Sequence, residues 1–316
     1  IQVSTLGNIA IATGLNSNIN ITTKYGSTTD WFQLYGDVTE SNYNAGSSVI
    51  FNGDGDMYVT GSYNIPDSEA SQAYIRKLST TGEVLWEKAV PLTSPNPDIY
   101  QTTGESLALD ASDNIYLLTN VWGGESNGWQ VTKLNPATGN VIWNTQEVQD
   151  SQDAMDVTVL SNGQIAVTTN NGCQLATLAS DGSIDWAVNN DQGNGLCVAD
   201  TGTLILVGRN NGIVNAYDYT GNIQWTNQTN STEYDVVAVA WDGTDWYTIS
   251  GNIVTKIAGT DNNTVLWQKQ INNGSRGFYA TWMTYDSGYL YLSAADTTAD
   301  SVKGLFAIKI NSSTGN

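Results

Sequence analysis

The sequence predicts an all-β chain: a seven-bladed β-propeller of four-stranded antiparallel blades, with the last blade lacking its outer strand. Three observations carry this. A short pattern ending in tryptophan recurs at Trp31, Trp86, Trp143, Trp186, Trp225 and Trp267, at intervals of 55, 57, 43, 39 and 42 residues, the period of a propeller blade. Between the tryptophans lie alternating runs such as SLALDASDNIYLLTN, rich in Val, Ile, Thr and Tyr and bounded by Asn, Asp and Gly, the mark of strands joined by tight turns. No stretch of a dozen residues repeats its apolar positions with the 3.6-residue period of a helix, so almost no helix is expected.

The elements of one blade are clearest at 235–270, where DVVAVAW, DWYTIS, IVTKI and TVLWQKQ read as first to fourth strand. First-to-second turns are short and carry residues that tolerate positive φ: NGDGD at 52–56, ASDN at 111–114, SNGQ at 161–164 and DGTD at 242–245. In the third-to-fourth turns TTGEVLW, ATGNVIW, SDGSIDW and YTGNIQW, the tryptophan follows the glycine by four residues. Two residues before the tryptophan sits a β-branched residue (Val84, Val141, Ile184, Ile223 or Val265), which alternation places on the same sheet face. A tryptophan repeated on every outer strand reads as blade-to-blade packing, since one indole buries roughly 150–250 Å² and its N–H needs an acceptor.

Blade boundaries fall near 1–36, 37–91, 92–148, 149–190, 191–229, 230–272 and 273–316, all within one domain over 1–316. The last unit has three strand-like runs, FYATWMTYD, YLYLSAA and LFAIKI, and its NSSTGN turn would put the next tryptophan just beyond Asn316. The third run is then an open edge, the kind that attracts another strand. The chain opens on Ile rather than Met and has no secretory apolar run, so it reads as a portion of a longer polypeptide.

The third-to-fourth segments AYIRKLSTTGEVLWEKAV, VTKLNPATGNVIWNTQEV and VNAYDYTGNIQWTNQTN resemble the repeat of pyrroloquinoline-quinone-like β-propellers. The first-to-second segment SSVIFNGDGDMYVTGSYN resembles a related bacterial and phage propeller repeat. The resemblance spans nearly the whole chain and implies the fold, because the shared residues are those that pack blades. Quinone enzymes of the resembled family have eight blades, adjacent cysteines and a calcium site over the cofactor. This sequence has neither the adjacent cysteines nor the eighth blade, so that activity does not carry over.

Composition narrows the function. Eleven Lys plus Arg face 31 Asp plus Glu, a net charge of −20, which disfavours nucleic acid and anionic membrane as partners. No apolar run is long enough to span a bilayer, so membrane insertion is not expected. The absence of histidine removes Ser-His-Asp and Cys-His catalysis and His-ligated metals. What remains for an enzyme is a carboxylate pair of glycosidase type or a quinone-holding propeller, the least favoured class.

Extra residues in the second and third units fall in 62–72, 91–101 and 120–130, which read as loops on one sector of one face of the disc. They carry four of the five prolines, with Trp122, Trp129, Tyr63 and Tyr100 outside the repeated pattern and Asp67 and Glu125 alongside. Ring faces for sugar C–H surfaces and carboxylates for hydroxyls are what a neutral glycan site needs. The competing reading is that the rings cover the loops' own cores. Trp241, Trp246, Tyr279, Trp282 and Tyr285 fall on strands and read as packing.

The alternating oxygens of Asn52, Asp54 and Asp56 begin as calcium loops do but lack the later bidentate Glu, so a hairpin turn is favoured and no cofactor is expected. Cys173 and Cys197, in neighbouring blades, allow a disulfide, with two small buried side chains the favoured reading. The leading functional expectation is a non-enzymatic recognition module on a cell or virion surface, such as a phage tail fibre or adhesion domain, binding a glycan or protein. The alternative is a structural propeller in a filament, virion or envelope complex, with the seventh blade completed by another strand.

Overall fold

The computed structural model describes residues 2–3, 9–15, 18–23, 31–35, 45–64, 70–90, 99–123, 126–145, 148–149, 153–170, 173–189, 194–229, 234–271, 277–298 and 301–316. Among them lie 28 strands and a single 3-10 turn at Asn210–Gly212.

β1 (Gln2–Val3), β2 (Ile9–Leu15), β3 (Asn18–Thr23) and β4 (Trp31–Tyr35) form an antiparallel sheet in chain order. Next come β5 (Ala45–Phe51), β6 (Met57–Asn64), β7 (Ser71–Leu78) and β8 (Val84–Ala89). They are followed by β9 (Ile99–Leu109), β10 (Ile115–Gly123), β11 (Ser126–Leu134), β12 (Val141–Asn144) and β13 (Val148–Gln149). Three four-stranded sheets then repeat the order. The first holds β14 (Asp153–Val159), β15 (Ile165–Asn170), β16 (Cys173–Leu178) and β17 (Ile184–Asn189). The second holds β18 (Gly195–Asp200), β19 (Ile205–Arg209), β20 (Ile213–Tyr217) and β21 (Ile223–Gln228). The third holds β22 (Val236–Trp241), β23 (Trp246–Ser250), β24 (Ile253–Ile257) and β25 (Val265–Gln270). A three-stranded sheet of β26 (Gly277–Asp286), β27 (Tyr289–Thr298) and β28 (Ser301–Asn311) ends the series.

This is a β-propeller arrangement, but seven separate sheets are not what forms. Strands β5 to β13 merge into one nine-stranded sheet, because β7 and β9 extend far enough to meet in a single parallel bridge between Ser71 and Gln101. The expected helix-free interior is observed, and the core lies between consecutive sheets. Tyr116, Leu118 and Val131 pack on Ala154, Val157 and Ile165; Ala166 and Leu175 pack on Ile205 and Val207; Leu206 and Val214 pack on Val236 and Trp246.

The tryptophans do what their repetition predicts. Trp143 lies over Gly182, Trp186 over Gly221 and Trp267 over Gly315, each the turn glycine of the following unit, and Trp86 lies over Gly139 in the same way. Their indole N–H groups donate to carbonyls in those turns: Trp86 to Pro136 at 3.4 Å, and Trp143 to Ser180, Trp186 to Tyr219 and Trp267 to Ser312 each at 3.0 Å. Only a residue without Cβ fits beneath the ring, and these glycines also sit at positive φ. Trp225 departs from the pattern: the next turn carries Asn262 at φ 58 instead of glycine, and Trp225 Nε1 has no acceptor.

Alternation fails at bulges. The β-branched residues expected to share the tryptophan's face are 39 to 49% exposed, because the outer strand bulges between them and the Trp, as between Leu78↔Val84 and Lys77↔Trp86. Six inner strands bulge too, at Ser47, Glu105, Met155, Leu196, Val237 and Thr281.

Candidate functional site

Of the 62–72 and 120–130 segments, expected as loops, residues 62–64, 71–72, 120–123 and 126–130 are ladder, while 65–69, 124–125 and 91–98 of the third expected loop lie outside the described residues. β6 pairs with β7 out to Asn64↔Ser71, and β10 with β11 out to Gly123↔Ser126. β27 and β28 reach equally far, to Thr298↔Ser301, an extension the sequence reading missed. By contrast β19–β20 stops at Gly208↔Val214 and β23–β24 at Ser250↔Ile253. Hairpins therefore project from one end of the sheets, opposite the first-to-second turns. Val121, Trp122 and Trp129 in NVWGGESNGWQ favour strand pairing, whatever the polarity of the intervening residues.

Trp122 sits one rung from the end of its hairpin, half-buried, and its Nε1 donates to Asp153 Oδ1 of the next sheet at 3.2 Å. Asn170 holds that carboxylate in place: its Oδ1 accepts from Asp153 N at 3.1 Å and its Nδ2 donates to Asp153 Oδ2 at 3.3 Å. Two residues deeper, Asn120 clasps the backbone of Ala154, accepting from its N at 2.6 Å and donating to its O at 3.2 Å. Glu105, the bulged residue of β9, lies beside Asn120. Burial pushes its carboxyl up to about 7, with the Asn120 hydrogen bond opposing and the charge of Asp153 adding. This rim thus offers a ring, an amide and two carboxylates, one of them able to donate or accept a proton near neutrality.

Tyr63 is also half-buried; its hydroxyl donates to Gln72 Oε1 at 2.7 Å and its ring lies 6.4 Å from that of Tyr74. Trp129, named with Trp122 as a ligand contact, is a correction: it is 1% exposed and packs in the core with Leu118 and Val131. It pairs with Asn120, three rungs in from the hairpin end, where the neighbouring sheet already covers the face. Asp67 and Glu125 lie outside the described residues, as do the side chains of Tyr100 and Tyr279. Trp246 is fully buried and Tyr285 stacks on Tyr247 at 6.2 Å, as packing residues should.

The inner strands line an open pocket of about 330 Å³ bordered by Ile50, Leu107, Val157, Val198, Val239 and Met283. Asp156 also lines it and ties three sheets together, accepting from Ser106 Oγ at 2.9 Å, Val157 N at 2.9 Å and Val198 N at 3.0 Å. Burial raises its carboxyl to about 7 despite those donors. Neither Glu105 nor Asp156 stood out in the sequence reading, although a carboxylate inside an apolar inner strand is a usable signal.

The 52–56 turn is a hairpin turn in its bonding: Asn52 Oδ1 accepts from Asp56 N at 2.8 Å, and Asp56 pairs with Lys77 at 3.1 Å. Two of the three candidate calcium ligands, Asn52 and Asp56, are thus engaged within the hairpin. Asp110 and Asp242 likewise cap their own turns and pair with Lys133 and Lys256. Cys197 is a free buried thiol donating to Val236 O at 3.4 Å, and the side chain of Cys173 lies outside the described residues.

Residues 71–310 match the sequence model of the family described as outer membrane protein assembly factor BamB. Among solved structures, virginiamycin B lyase from Staphylococcus aureus aligns over 92% of this chain and 89% of its own at 13% identity, with a TM-score of 0.66. A catalytically inactive histidine-to-alanine variant of that lyase, solved with quinupristin, aligns over 93% and 90% at 13% identity and TM-score 0.64. A chain of a mitotic checkpoint complex aligns over 98% and 88% at 14% identity and TM-score 0.66. At these identities the likeness is one of fold. No curated protein matches the sequence.

Proposed function

The chain belongs to the BamB family of PQQ-like β-propellers, and from that premise we propose that it is a non-enzymatic recognition module whose extended hairpins bind a glycan or protein. The observation that carries this reading is the rim at Trp122: a half-buried indole, oriented through Asp153, beside Glu105 and Asn120 on rigid ladder rather than loose loop. Ordered aromatic and amide groups lose little entropy on binding. The family's description as an assembly factor favours a protein ligand in an extracellular or envelope setting. The lyase neighbour argues little for catalysis here, since its inactive form lacks a histidine and this chain has none.

Seven blades account best for the strand order. The nine-stranded sheet divides at its one parallel bridge into β5–β8 and β9–β13, and β1 lies against both β5 and β26, as ring closure requires. A second reading, an assembly scaffold, is favoured by the last sheet, in which β28 pairs with β27 alone among the described residues.

Arrays of glycans and extended peptides, probed with the wild-type protein, Trp122→Ala and Tyr63→Ala, test the first reading. Specific binding that both substitutions weaken tenfold or more supports it. Binding unchanged in Trp122→Ala sinks the site, and turnover of an arrayed glycan would sink the non-enzymatic reading.

A further inference from the structure

Arg209 closes β19 at the hairpin end of its sheet and is 2% exposed. It has no carboxylate partner among the described residues, and its Nε has no hydrogen-bond acceptor. A buried guanidinium without a counter-charge is costly, and natural chains rarely leave one so.

What surrounds it brings no carboxylate within ion-pair reach among the described residues and has donors to spare. Arg209 shares a strand face with Ile205 and Val207, which pack on Ala166 and Leu175 of the preceding sheet, so by alternation it points at that sheet. Its cross-strand partner is Gly195, where a Cβ would collide with Gln174 O and press on Thr168 Cβ. Gln174 and Thr168 are fully buried, and Gln174 Nε2 and Thr168 Oγ1 are also without partners. Polar side chains nearby are already engaged with one another in a relay. Thr226 Oγ1 donates to Asn215 Oδ1 at 3.0 Å, Asn215 Nδ2 to Tyr217 Oη at 3.0 Å, and Tyr217 Oη to Gln174 Oε1 at 2.8 Å. The relay fixes Gln174 with its amide N–H₂ left over. A guanidinium, an amide and a hydroxyl, each with donor capacity to spare, thus belong to one junction between two sheets, with Gly195 between them.

We propose that this junction between β15–β16 and β18–β20 binds a small oxyanion of carboxylate or phosphate type, with Arg209, Gln174 and Thr168 as its donors. Water could occupy the spare donors but could not neutralise the cation, whereas an oxyanion does both. The site lies at the same end of the sheets as the Trp122 rim and stands independently of the recognition reading.

Equilibrium dialysis at low ionic strength tests it, with radiolabelled inorganic phosphate in one arm and acetate in the other. The expected result is about one anion per wild-type chain in at least one arm, informative because a chain of net charge −20 repels anions elsewhere. Arg209→Met should bind none, and Arg209→Lys at least about tenfold more weakly, because an ammonium lacks the planar fork. In chloride buffer Arg209→Met should unfold no lower than wild type. At saturating anion only wild type should gain, by about 4 °C. No anion bound by wild type in either arm, or equal binding by Arg209→Met, overturns the proposal. Should Arg209→Met fail to fold, the wild-type stoichiometry and Arg209→Lys carry the comparison, and undiminished binding by Arg209→Lys overturns it.

Discussion

Replacing Gly182 with alanine separates the two reasons a glycine sits beneath each tryptophan. At φ 88 any Cβ carries backbone strain of roughly 1–2 kcal/mol. At this position it would also stand 2.7 Å from Trp143 Cε3, and forcing the indole aside adds overpacking of roughly 1–3 kcal/mol. Gly163 provides the control, since it has the same φ of 88 with nothing within 4 Å of a built Cβ. Gly163→Ala should therefore cost only the strain, about 1–2 kcal/mol, and Gly182→Ala about 2–5 kcal/mol. Removing the ring in Trp143→Ala should abolish the extra cost, a coupling of roughly 1–3 kcal/mol in the double-mutant cycle. Urea unfolding followed by far-ultraviolet circular dichroism reads all five proteins without depending on tryptophan fluorescence. Equal costs for the two glycine substitutions, or no coupling between Gly182 and Trp143, would refute the packing argument.

Three further outcomes follow from the same geometry. Trp267→Phe should lose about 1 kcal/mol for the bond to Ser312 O, whereas Trp225→Phe, whose Nε1 has no acceptor, should lose less than about 0.5 kcal/mol beyond ring size; equal losses in urea titrations would contradict this. Lys256→Met strands Asp242 and Asp245, held at 3.4 and 3.1 Å in a largely buried site, and should cost roughly 2–3 kcal/mol. Glu87→Gln, at the more exposed pair with Arg76, should cost under about 1 kcal/mol by the same assay. Asp156 loses its proton near pH 4 when unfolded but only at about 7 when folded, so its contribution is fully present below pH 4 and is lost as pH rises through 7. Unfolding free energy should fall by a few kcal/mol from this group between pH 5 and 8, and Asp156→Asn should flatten that slope; an unchanged slope would show that Asp156 titrates normally.

The repeated tryptophan and glycine were legible because successive units carry both, four residues apart in the turn, although the contact itself runs from one unit's tryptophan to the next unit's glycine, as from Trp143 to Gly182. The acidic turn residues were legible for the same reason: Asp110 caps its own turn, accepting from Ser112 N and Asn114 N. What escaped depends on where a neighbouring sheet ends. Trp122 and Trp129 share one face of one hairpin, and only their depth along it makes one a rim residue and the other core. Bulges such as that at Glu105 add one residue without any change in composition, so the alternation count is silent about them. Gln174 and Gly195, the cross-strand partner of Arg209, lie 21 positions apart in sequence and meet only because Gly195 has no Cβ to hold the two sheets apart.

The binding face is most directly tested by hydrogen–deuterium exchange of the protein with and without its best-binding arrayed ligand. Exchange should slow in the hairpins 57–78 and 115–134 and in the neighbouring strand around Asp153, with the opposite turns at 52–56, 111–114, 161–164 and 242–245 unchanged. Protection confined to those turns, with the two hairpins exchanging as in the free protein, would contradict it.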